Sequence, residues 1–152
     1  ASVVLASFLV FAGLGSNWSK RYSTQQRYRR GVIGSVAGIL LTGATYLLSL
    51  DTLLAALVIW PTGARVAVSI ALIAPMAFFM GMPFPLALTS LGAGAGTLIP
   101  LAWGVNGCAS VLSAVLATLL AIHFGFSVVV LLALLLYILA AWNFRFIRNS
   151  VN

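Results

Sequence analysis

Few groups in this 152-residue chain could move a proton, bind a metal or attack an electrophile: one acid, Asp51, one histidine, His123, and one cysteine, Cys108. Acid–base catalysis needs groups of different proton affinity within reach of one bond, and covalent catalysis needs a nucleophile with a base and an orienting partner. The chain offers no carboxylate pair, no Ser-His-Asp set and no cluster of Cys and His that would hold zinc. A lone cysteine also excludes an internal disulfide. The run GAGAG at 92–96 has the composition of a phosphate-cradling loop. Such a loop follows a strand, opens a helix and has an acid about 20 residues further on. Here it follows an apolar run and no acid occurs after Asp51. It is expected to be a flexible loop. No cofactor, no metal and no catalytic residue is therefore expected, and the chain by itself is not expected to be an enzyme.

The remaining polar constellation is Asn106, Ser110 and Ser113, in PLAWGVNGCASVLSAVLATLLAIHF. With Ala117 these recur at spacings of four, three and four, so they share one helical face, while Leu112, Leu116 and Leu119 lie on another. Small and weakly polar side chains in one stripe let helices approach closely and exchange hydrogen bonds in lipid. Gly34 and Gly38, in GVIGSVAGIL, form a GxxxG pair of the same kind. Helix packing is the expected role of all five residues; a solute-binding role for Asn106 is the alternative. His123 is expected to be an interfacial side chain.

The elements that must position these groups follow from composition. At 62% hydrophobic and 6% charged, the chain carries more apolar surface than a soluble domain of this size could bury. The expected fold is all-α: a polytopic integral membrane bundle filling residues 1–152 as one domain, expected to be part of a longer chain, since it opens on Ala1 inside an apolar run. A spanning helix needs about 20 apolar residues. Five segments qualify, at about 1–16, 31–50, 64–82, 97–123 and 126–144, the first being short for a span. The run 52–60 is too short to cross and is expected to be an interfacial helix, capped by Asp51, with Trp60 at headgroup level.

Charge sets the topology. Lys20, Arg21, Arg27, Arg29 and Arg30 crowd the first connection, Arg145 and Arg148 follow the last span, and Arg65 is the remaining cation. Five crossings put the first two groups on one side, which the positive-inside rule makes cytoplasmic, with the N-terminus outside. With Trp18 beside them, these residues are expected to anchor the chain on membrane lipid; the interleaved aromatics do not make the loop a nucleic-acid patch. Pro83 and Pro85, in FFMGMPFPLAL, then fall at the cytoplasmic end of the third span. They are expected to stop the helix and redirect the chain into a loop-like stretch, TSLGAGAGTLIP; a broken helix lining a cavity is the alternative.

The motifs FFMGMPFPLAL, AWGVNGCASVLSAVLATLLAIHFGFS, LLYILAAW and FAGLGSNWSKR, spread over residues 1–142, resemble the C-terminal membrane region of the bacterial membrane-bound spermidine synthase-like proteins. The resemblance implies major-facilitator-like helices fused to a Rossmann-type aminopropyltransferase or methyltransferase-like domain. That family's catalytic and S-adenosyl ligand-binding residues belong to the soluble domain, and no position here matches them. Three functions follow as expectations. The first is a non-catalytic structural or accessory module, or anchor, that packs on partner membrane subunits. The second is a permease-like fragment for a small or cationic solute, with Trp103, Asn106 and the Pro83/Pro85 break lining a cavity. The third is the membrane half of a spermidine synthase-like transferase.

Overall fold

A computed structural model describes residues 2–22, 25–90, 96 and 98–149 of the chain. The side chains of Arg145 and Arg148, and residues 92–95 of the glycine run, lie outside the described set. The fold is all-α, in the order α1 (Ser2–Ser19), a short 3-10 turn (Lys20–Tyr22), α2 (Gln25–Leu57), α3 (Thr62–Met80), α4 (Pro83–Ser90), α5 (Leu98–Phe124) and α6 (Phe126–Asn149). Among the described residues, five stretches are long and apolar enough to cross a membrane: Ser2–Tyr22, Arg27–Ser49, Thr62–Thr89, Leu98–Phe124 and Phe126–Asn143. The helices group into two compact units, Ala1–Leu86 and Ala87–Asn152.

In the first unit α3 is the central helix: α1 packs on it, and so does α2. The buried stripe of α2 runs through Val32, Ser35, Val36 and Ile39, and Ala77, Met82 and Leu86 are buried in the same unit. Ser35 is buried without an orphaned hydroxyl, because Oγ donates to the Val32 carbonyl at 3.0 Å. α1 extends further than its sequence suggests. Asn17, Trp18 and Ser19 stay helical, with Ser19 Oγ donating to the Ser16 carbonyl at 2.6 Å, so the first span is not short.

The separate interfacial helix expected at 52–60 is instead the last part of α2, which runs unbroken for 33 residues. The physical reason is local. No Gly or Pro occurs between Gly43 and Pro61, and Ser49 donates to the Thr45 carbonyl at 2.7 Å, keeping the turn before Asp51 helical. Asp51 is thus an exposed residue inside a helix and caps nothing. At ~50 Å α2 exceeds the ~30 Å apolar core, so its last turns extend past the rim. The Val58 and Trp60 N–H groups donate to the Ala55 and Leu57 carbonyls of its last turn, and in the connection that follows Arg65 Nε donates to the Trp60 carbonyl at 2.8 Å and Nη2 to the Val58 carbonyl.

The two prolines open a helix. α3 stops at Met80, where the Gly81 N–H donates to the Ala77 carbonyl at 3.0 Å and the Met82 N–H to Phe79 at 3.3 Å. α4 then begins on Pro83, placing both prolines in its first turn, where a missing N–H leaves no bond unmade. α3 is 19 residues long, or ~28 Å, and the apolar stretch Thr62–Thr89 continues through the break into α4. The stretch expected to be loop-like from Thr89 is helical to Ser90, and α5 begins at Leu98 with Pro100 in its first turn. Again a proline that lacks a donor costs nothing where the helix has no acceptor to offer it.

The second unit is a hairpin of α5 on α6. One residue connects them, Gly125, at φ +87°, a conformation side chains with a Cβ rarely adopt. Its N–H donates to the Ala121 carbonyl at 3.1 Å and closes α5.

Candidate helix-packing and membrane-face sites

The closest approach in the first unit is backbone to backbone. A Cβ built on Gly15 of α1 would lie 1.9 Å from the Phe78 carbonyl oxygen, and one on Gly81 would lie 2.1 Å from the Ala12 carbonyl oxygen. Only glycine fits at either point. In lipid no hydrophobic effect drives helices together, so contact this close is the main source of packing energy. Neither glycine was picked out by a motif: their partners are on another helix, and the signal is spatial.

The GxxxG pair divides its work. A Cβ on Gly38 would meet the Phe79 ring at 2.5 Å, whereas Gly34 has nothing within 4 Å. The two therefore do not form one contact face. The inward small residues are Gly31 and Ser35, about 60° around the helix from the predicted pair. Gly31 sits against Tyr22 and Leu86, with its hypothetical Cβ 2.7 Å from Tyr22 Cβ and 3.3 Å from Leu86 Cδ1.

A polar seam between α2 and α3, unforeseen from sequence, surrounds Pro75, which lies inside α3. Thr42 Oγ1 is 2.8 Å from the Gly38 carbonyl and 3.1 Å from Met76 Sδ. One turn on, the Tyr46 hydroxyl donates to the Leu72 carbonyl. Pro75 cannot donate to the Ala71 carbonyl four residues back, and the Tyr46 hydroxyl donates to the next carbonyl, that of Leu72. The legible signal was a proline in mid-span, in ALIAPMAFF, with Thr42 and Tyr46 four apart on a neighbouring span.

At the rim, the basic turn is built on an aromatic stack. Trp18 and Phe78 meet edge to face at 6.3 Å and 62°, and Phe78 meets Phe79 at 5.7 Å and 82°. Arg21 lies over the Trp18 ring, Cζ 3.7 Å from the centroid. Lys20, Arg21, Arg27, Arg29 and Arg30 are all exposed, as is Trp18. Leu86 reaches Gly31 just beneath the turn, so Pro83 and Pro85 open α4 on the same side as the basic residues.

In the second unit Asn106, Cys108, Ser110 and Ser113 are exposed on α5. Ser110 Oγ donates to the Asn106 carbonyl at 2.8 Å and Ser113 Oγ to the Ser110 carbonyl at 3.0 Å, so both hydroxyls are satisfied within their own helix. His123 Nδ1 donates to the Leu119 carbonyl at 2.8 Å. Asn106 and Trp103 belong to the second unit, whereas Pro83 and Pro85 belong to the first. Searches against protein-family models, curated proteins and solved structures give no match to this chain.

Proposed function

We propose that the chain is a non-catalytic integral membrane module, serving as a structural or accessory subunit or as an anchor, that grips partner membrane proteins through the small-residue face of α5. One observation carries this reading. α5 is a 27-residue apolar helix with no buried side chain among those described, and its one polar stripe, Asn106, Ser110 and Ser113, points outward with its hydroxyls already satisfied. A purely lipid-facing helix gains nothing from a stripe of small polar residues, whereas a helix that packs on another gains close approach and weak hydrogen bonds of ~0.6 to 2 kcal/mol each.

The test uses a photo-crosslinking amino acid placed in the native membrane at 110 on the small face or at 112 on the leucine face. Protein adducts from 110 and lipid adducts alone from 112 are expected. The pair Ser110→Leu and Ser113→Leu should release whatever protein 110 captures. Lipid adducts alone from both positions, or protein capture undiminished by the leucine pair, overturn the reading.

The orientation we propose has the N-terminus outside and the C-terminus cytoplasmic, in the cell's inner membrane. What supports it is the side shared by the basic turn and the α4 break, together with the odd number of spans. The anchor role is the one that the MPFP and WGVNG motifs favour, through their resemblance to the spermidine synthase-like membrane region. On that role the held partner is a soluble transferase domain, and a longer polypeptide in the source cell carrying a nucleotide-binding domain ahead of these helices is the expected finding.

A further inference from the structure

The basic turn concentrates cations with no acid near them in the sequence. Five cations stand between residues 20 and 30, while the only acid in the sequence is Asp51. Asp51 lies 21 residues beyond Arg30 along the same α2 helix, or ~30 Å away. An anion that pairs with the arginines of the turn is therefore not Asp51.

Two features say what kind. Arg21 is held in place: its guanidinium carbon lies 3.7 Å from the centroid of the Trp18 ring, which itself meets Phe78 of α3 edge to face. Arg27 stands one helical turn before Gly31 on α2, the residue pressed against Tyr22, so it projects on the side of α2 that meets the 3-10 turn. A planar guanidinium held in this way, with a second exposed arginine on the side of α2 that meets the turn, suits a phosphate, which accepts paired hydrogen bonds from the fork of donors. The second feature is apolar. Val10, Leu14 and Trp18 recur at spacings of four on α1 and are all exposed, forming a stripe that runs along the span and ends under Arg21. A ligand that fills both parts has an anionic head and a hydrocarbon tail.

We infer that the turn, with the α1 stripe below it, is a binding site for one anionic phospholipid, its phosphodiester on Arg21 and Arg27 and an acyl chain along Trp18, Leu14 and Val10. This goes beyond general attraction to a charged leaflet, because it assigns a fixed position to one lipid and does not depend on any partner held by α5.

The experiment follows Trp18 fluorescence in the full chain carrying Trp60→Phe, Trp103→Phe and Trp142→Phe, in detergent micelles titrated with phosphatidylglycerol or phosphatidylcholine. Both lipids have the same acyl chains, brominated near the glycerol end to quench on contact. Each basic side chain near an anionic surface changes affinity by about fivefold. Phosphatidylglycerol is expected to reach half-quenching at a mole fraction at least about fivefold lower than phosphatidylcholine. The Arg21→Gln, Arg27→Gln pair, with helix content checked by circular dichroism, should bring the two curves together. Should that pair fail to fold, the unmutated arginines give the same answer through salt: the gap should close between about 0.05 M and about 0.5 M NaCl. Equal quenching by both lipids, a preference that survives the glutamine pair, or a gap indifferent to salt overturns the inference. So does loss of the preference on adding millimolar inorganic phosphate or a short RNA, which would assign the turn to a soluble anion.

Discussion

Gly15 and Gly81 do their work by what they lack. Each lets a backbone carbonyl of the opposing helix approach to within a distance that any Cβ would forbid. Gly15→Ala should force α1 off α3 and cost about 1–3 kcal/mol, as overpacking does, read as a lower midpoint in a denaturing-detergent titration. Gly34→Ala, with open space around it, should leave that midpoint unchanged or raise it slightly, by up to about 1 kcal/mol of helix propensity. Equal midpoints for the two variants would show that the crossing contributes nothing. At this scale the sequence was partly legible. It marked α2 as a helix with small residues for packing, but GxxxG is only a spacing, and a helix offers several such spacings on adjacent stripes. Which stripe faces inward depends on Phe79 and Tyr22, and those contacts cannot be read from α2 alone.

Among the elements, boundaries moved wherever local chemistry outweighed average hydropathy. Polar Asn17 and Ser19 did not end α1, because a serine can bond back to its own helix; Asp51 did not restart α2, because nothing there breaks the ladder. The stop at Met80 was legible, since two prolines cannot both follow inside a helix, yet the same residues also open α4. Replacing both, as Pro83→Ala with Pro85→Ala, restores two donors opposite the Phe79 and Gly81 carbonyls. α3 and α4 should then fuse into one helix, drawing Leu86 away from Gly31. In hydrogen-exchange measurements the two new amides should exchange slowly; rapid exchange at both would mean that the break is imposed by packing and not by proline.

For the whole molecule, composition alone announced a membrane protein, because no arrangement of so many apolar residues could hide them from water. Sidedness is open to a direct check. In a Cys108→Ser background, Arg29→Cys should react with a membrane-impermeant maleimide only from the cytoplasmic face and Gly63→Cys only from the outside. Gly63 suits this purpose because its surroundings are open. Labelling of both from one face would refute the five-span count. Less legible was the grouping of helices, since pairing in lipid is decided by steric detail and not by how greasy each segment is.

That grouping bears on how the chain is made. α1 and α2 are synthesised before α3, yet α1 docks on α3, and it is α3 that joins them. Until residues 62–80 have been synthesised, α1 and α2 lack the helix on which both pack and stand in the bilayer as neighbours tethered by a turn. α3 is thus the keystone of the first unit, and a nascent chain halted before Thr62 should leave α1 and α2 free to drift apart.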